Sequence, residues 1–164
     1  MRTINQVASG ELRWINPTNE LAFELRAGDE LVGQLQFDAE GRGDSDTAGQ
    51  RLTFKRQGFW PQRVIVGVPG SDANVAVFRI SWKKGGTLEL AGRRQLHLRA
   101  AIFLRRWDWT DMDGKPLVHL KKSVLGVECD VTIEPDAVTS PDLPLLVVLG
   151  WYLLVLWARD AQND

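Results

Sequence analysis

A chain of 164 residues with 44% apolar and 25% charged residues has the length and balance of one folded domain, which excludes global disorder and predicts a packed core. A single cysteine, Cys129, excludes an internal disulfide scaffold, and with only two histidines it excludes the usual nitrogen–sulfur zinc site. The net charge of −1 hides a segregation: residues 1–50 carry 4 cations against 9 anions, residues 51–122 carry 15 against 5, and residues 123–164 carry 1 against 7.

In chain order the pattern is strand-like almost throughout. Leu31, Gly33, Leu35 and Phe37 alternate with Val32, Gln34, Gln36 and Asp38. The same period of two runs through Leu52 and Phe54, Val64, Val66 and Val68, Val75 to Phe78, Leu88 and Leu90, Leu96 and Leu98, and more loosely Leu117 and Leu120. The longest alternation points Val127, Cys129, Val131 and Ile133 to one face and Glu128, Asp130, Thr132 and Glu134 to the other, making Cys129 a small core residue. Turn signals separate these runs at 27–29, 40–44, 69–72, 84–86, 91–92 and 113–114. At least nine short strands between Glu11 and Glu134, joined by hairpins and without a fixed repeat, describe a sheet that curls, splits or closes on itself, as a barrel or a sandwich over residues 11–134.

Residues 143–158 carry no charge and are apolar almost all round. Asp142 stands as an N-cap, Pro144 falls in the first turn and Arg159 suits the negative pole, so a helix is predicted over 142–158. A helix hydrophobic on every side is buried somewhere. Sixteen residues span roughly 24 Å against a hydrocarbon core of ~30 Å, a marginal membrane span. A barrel of nine or more strands, in turn, is too wide to be filled by its own side chains. Enclosure is therefore favoured, with a tail-anchored membrane protein bearing a cytoplasmic barrel as the alternative.

This order of elements resembles the tubby C-terminal-like superfamily, which includes phospholipid scramblases and the LURP-one-like proteins, and most of all its small bacterial LURP-one-like branch. The resemblance runs over about residues 13 to 160. It is carried by the basic-aromatic run Leu52 to Trp60, Ala76-Val77-Phe78-Arg79, Gly86 to Leu90 followed by Gly92-Arg93-Arg94, a Trp-rich strand into Asp113-Gly114, and Leu149-Gly150-Trp151-Tyr152-Leu153-Leu154. It implies a mainly β fold of about twelve antiparallel strands closed around a central hydrophobic C-terminal helix, as one domain over 1–164, with no catalytic centre and no cofactor. The scramblases bring a proline-rich leader, a cysteine cluster and a calcium-binding acidic segment, whereas this chain has one cysteine and no such leader, and the phosphoinositide pocket of tubby does not align residue by residue.

Several motifs have an ordinary reading beside a functional one. Asp111-Met112-Asp113-Gly114 echoes a calcium loop, but with Gly114 at the sixth position the first and twelfth ligands would be Trp109 and Leu120, so a hairpin turn is predicted. The Arg42-Gly43-Asp44 string matches an adhesion tripeptide that loops of this composition produce by chance. His97 and His119 lie apart without a nucleophile and read as structural. Trp107 and Trp109 share one strand face, either as a stacking platform or as core, whereas Trp82, Trp151 and Trp157 read as core and Trp60 stays open.

The basic middle is either neutralised across the sheet or gathered into a face for an anion. Its doublets, Lys83-Lys84, Arg93-Arg94, Arg105-Arg106 and Lys121-Lys122, fall near strand ends, and the first three are the candidate ligand-binding residues. The expected function is non-enzymatic binding of an anionic ligand such as a lipid headgroup, or of a protein partner. Nucleic acid is not the expected partner. No charged-plus-apolar leader follows Met1, so the expected location is the cytoplasm, with peripheral membrane contact open.

Overall fold

A computed structural model of the chain describes residues 1–18, 20–58, 62–81 and 85–162, the side chain of Ile102 excepted. Twelve strands follow one another as β1 (Leu12–Ile15), β2 (Ala22–Ala27), β3 (Glu30–Phe37), β4 (Gly43–Thr47), β5 (Gln50–Gln57), β6 (Arg63–Gly67), β7 (Asn74–Ser81), β8 (Gly85–Leu90), β9 (Gln95–Ala101), β10 (Arg106–Thr110), β11 (Pro116–Lys122) and β12 (Cys129–Ile133). Each pairs antiparallel with its sequence neighbours, and β12 pairs back onto β1 through Leu12 opposite Val131 and Trp14 opposite Cys129, so the barrel is closed. A short helix α1 (Ile4–Val7) precedes the barrel and α2 (Leu143–Gln162) follows it.

α2 is the core of the barrel. Every residue from Leu145 to Trp157 is buried, on all sides of the helix, because the twelve strands turn one face inward around it. Tyr152 is stacked between Phe37 and Phe54, with ring centroids 5.2 and 5.1 Å away, and its hydroxyl donates to the Gly41 carbonyl at 2.7 Å. Trp14 stacks on Trp151, and the Trp109 indole N–H donates to the Leu146 carbonyl at 2.8 Å. Close approach sets two residue identities. A Cβ on Gly150 would lie 2.9 Å from Leu120, and one on Gly43 2.8 Å from the Tyr152 ring, so glycine is what brings helix and wall into contact there.

The helix continues four residues past the predicted end at 158, because its polar last turn is held to the wall. Arg56 donates to Asp160 at 2.5 Å, and the Arg159 guanidinium lies 5.9 Å from the centre of the Phe37 ring. At the other end Pro144 falls in the first turn as predicted, whereas the Asp142 carboxylate accepts from Arg94 at 2.7 Å. α1 packs at that end, Ile4 and Val7 entering the core and the Asn5 amide donating to Val138 and Ser140 carbonyls, both at 2.8 Å.

Three local departures from the expected pattern occur, the first with a register cause. A bulge between Leu25 and Arg26 pairs Leu25 with Gly33 and Arg26 with Leu31, which turns Val32 inward and leaves Leu31 half-buried. Val68 lies beyond the end of β6 and Val127 before the start of β12, and both are exposed rather than inward-facing. Gly43-Asp44 and Gly85-Gly86, expected in turns, lie within β4 and β8.

Candidate functional site

Because all neighbours are antiparallel, the connections alternate between two mouths. Residues 91–94 and 111–115 lie at the mouth where α2 begins, and residues 38–42, 102–105 and 123–128 at the mouth where it ends. This separates the basic doublets. Arg93 and Arg94 are at the first mouth, where Arg94 is paired with Asp142, while Arg105, Arg106, Lys121 and Lys122 are together at the second. Lys83 and Lys84 lie outside the described residues, as do Trp60 and Trp82. A rim shared by all the described doublets is therefore not formed; two of them are brought together and the third is placed opposite.

The assembled pair is built by β10 and β11. Arg106 is the register partner of Lys121, and the Lys122 amide donates to the Arg105 carbonyl at 2.9 Å, tying the 102–105 connection to the end of β11. Arg106 leans on Asp108 at 3.3 Å. Arg105 is exposed and has φ 51°, and it shares the left-handed region with only one other non-glycine among the described residues, Arg93 at φ 66°.

Neutralisation of the basic middle also occurs, but largely by the C-terminal segment rather than by neighbouring strands. Arg56 pairs with Asp160, Arg94 with Asp142 and Lys115 with Asp136, at 2.5, 2.7 and 2.6 Å. Among the described residues of β9 to β11, Arg99, Arg105 and Lys121 have no ion-pair partner, and elsewhere in the basic middle Arg51, Lys55, Arg63 and Arg93 have none either. Of these, Arg105 and Lys121 lie at the mouth where α2 ends and Arg51 and Arg93 at the opposite one, while Arg99 and Lys121 stand across from Asp108 and Asp130 in the register without closing an ion pair.

The same mouth carries exposed apolar side chains that alternation did not single out. A 3-10 turn at Ile102–Leu104 joins β9 to β10 and leaves Phe103 fully exposed and Leu104 56% exposed. Between β11 and β12, the Gly126 amide donates to the Ser123 carbonyl at 3.0 Å and the Ser123 amide to the Glu128 carbonyl at 2.9 Å. That closed loop presents Val124 and Leu125, 79% and 84% exposed, as the two central residues of its turn. Turn centres ordinarily take Gly, Asn, Asp or Ser, so Val-Leu at this place was the available sequence signal.

Other chemistry-bearing groups are engaged elsewhere. His119 lies on the outer face between the Asp108 and Glu134 carboxylates, its Nδ1 and Nε2 at 2.5 and 2.7 Å from them. Burial opposes its charge, but the two carboxylates outweigh it and hold the imidazole pKa above its ordinary value. His97 meets the Thr87 hydroxyl at 3.2 Å. Burial pushes the Cys129 thiol far up, away from nucleophilic character. Trp107 and Trp109 are buried, so the stacking-platform reading is overturned for both, and the rings fill the barrel instead. The Asp111 carbonyl and carboxylate accept the Gly114, Asp113 and Lys115 amides, which makes 111–115 a hairpin turn. A surface groove of 610 Å³ beside β1 and β12 contains Arg13 and Arg26, already paired with Asp130 and Glu24 at 2.7 and 2.8 Å. No group of three or more metal-ligating side chains occurs among the described residues.

Comparison with protein families, with curated proteins and with solved structures finds no match to this chain.

Proposed function

We propose that the chain is a non-enzymatic binding barrel of the tubby-like, LURP-one-like kind, which takes a phosphate-bearing anionic ligand at the mouth where α2 ends. The observation that carries this reading is the gathering of Arg105, Arg106, Lys121 and Lys122 at one mouth, with Arg105 and Lys121 lacking any carboxylate partner among the described residues. Unpaired surface cations on neighbouring strands raise the local concentration of anions, and phosphate oxygens are their natural acceptors.

The alternative, insertion of the terminal helix into a bilayer, meets the length and composition of a membrane span. It would require α2 to leave the barrel and expose the inward faces of all the strands to water.

Co-sedimentation with vesicles tests the proposal. The protein is expected to bind phosphatidylserine-containing vesicles at low salt, to be released as salt rises past about 0.1 M, and to ignore phosphatidylcholine vesicles. The variant Arg99→Gln/Arg105→Gln/Lys121→Gln should lose that binding while keeping its melting temperature, because exposed substitutions change stability by less than about 0.5 kcal/mol. Arg93→Gln, at the opposite mouth, should bind like the parent. Absence of binding at low salt would retire the anionic-ligand reading in favour of a protein partner.

A further inference from the structure

The exposed turns at the charged mouth show an order of chemistry along the barrel axis. The outermost residues are apolar, with Phe103 and Leu104 on one connection and Val124 and Leu125 on the next, and the cations Arg105, Arg106, Lys121 and Lys122 stand immediately behind them at the strand ends. The two turns are not independent. The backbone bond from Lys122 to Arg105 ties them together, and the bonds closing 123–128 hold Val124 and Leu125 at the tip. A soluble protein leaves single apolar side chains exposed without consequence, but two adjoining turn tips with four large apolar residues, backed by cations, form a patch that calls for a cover.

We propose that these two turns insert into the interface of an anionic bilayer, with Phe103, Leu104, Val124 and Leu125 entering the headgroup–acyl boundary and the four cations lying at the level of the lipid phosphates. This inference rests on the anionic-ligand reading and adds to it a membrane surface as the source of the phosphate. Charge complementarity selects this occupant: apolar tips followed by cations match the layering of acyl chains, phosphates and water along the membrane normal. The closed barrel behind the tips keeps its own edges paired, and α2 remains inside, so docking needs no unfolding.

The test uses the full chain with Leu125→Cys labelled by an environment-sensitive fluorophore; the buried Cys129 does not compete for the label. Phosphatidylserine-containing vesicles should shift the emission to the blue, and phosphatidylcholine vesicles should not. Phe103→Asn and Leu125→Asn, which remove the apolar tips without adding charge, should each lower partitioning onto the anionic vesicles by about tenfold or more while leaving the circular dichroism melt unchanged. Inositol hexakisphosphate serves as a soluble polyanion, and its affinity should be the same for these variants and the parent.

The failures are separable. If the polyanion binds but the label stays unshifted on vesicles, insertion is wrong and the headgroup-binding reading stands; if neither binds, both fall. A dimer that forms with rising concentration, and that Phe103→Asn dissolves, would mean that the tips are covered by a second copy of the chain, which also overturns insertion.

Discussion

His119 shows what one side chain contributes to the outer wall. An imidazole within hydrogen-bond reach of two carboxylates can donate to both only in its protonated form, so the pair favours the charged ring. Arg106 and Asp108 form the rest of that cluster. Since the folded-state pKa is raised, the stabilisation is fully present below the unfolded value of about 6.5 and is lost as pH rises through the folded one. The melting temperature of the protein should therefore fall as pH is raised from about 6.5, and that slope should flatten in His119→Gln, which can bond but not titrate in this range. An unchanged slope in the variant would assign the pH dependence to another group. The trio was hidden in the sequence because Asp108 is brought beside His119 only by the β10–β11 register, and Glu134 reaches its other nitrogen only across β11 to the end of β12. Tyr152 is the interior counterpart: burial pushes its hydroxyl up to about 12, so it stays a neutral donor to Gly41.

At the scale of elements, the legible parts were those in which one side of a strand is apolar. β5, β6, β9 and β12 show this plainly, and α2 was marked by its unbroken apolar run between Pro144 and Arg159. β4 was not legible, because its five residues, Gly-Asp-Ser-Asp-Thr, include no large apolar side chain. Its inward residues are Gly43, Ser45 and Thr47, and Gly43 lies where the Tyr152 ring presses on the wall, so the packing there leaves no room for the apolar side chain that would have marked the strand. β1 and β2 were obscured differently: β1 is four residues long, and the bulge at Leu25 breaks the β2–β3 register. The helix carries the sharpest stability prediction. Val148 is buried in α2 with the barrel around it, so Val148→Asp should destabilise the fold by roughly 4 kcal/mol or more through an unpaired buried carboxylate, read by denaturant unfolding. A loss below about 1 kcal/mol would contradict a helix enclosed on every side.

Across the whole molecule, charge and architecture are linked through the direction of α2. Its polar segments at either end bring Asp142 and Asp160 to opposite mouths, where they neutralise Arg94 and Arg56, so the excess of cations written into residues 51–122 is cancelled unevenly. What survives near β10 and β11 lies beside the exposed turns. The sequence total and the doublets anticipated a basic face, but which doublets meet depended on the alternation of connections between mouths. That alternation is a property of a closed, strictly antiparallel barrel and appears in no single segment.

On this proposal the barrel docks intact, through the mouth where α2 ends, on an anionic surface. Hydrogen–deuterium exchange of the full chain with and without phosphatidylserine-containing vesicles tests it most directly, because it reads every backbone segment at once. Docking should slow exchange at 102–106 and 121–127, leave 91–95 on the opposite mouth unchanged, and keep exchange slow throughout α2. Unchanged exchange at those two turns, or loss of protection across the strands as α2 departs into lipid, would contradict it.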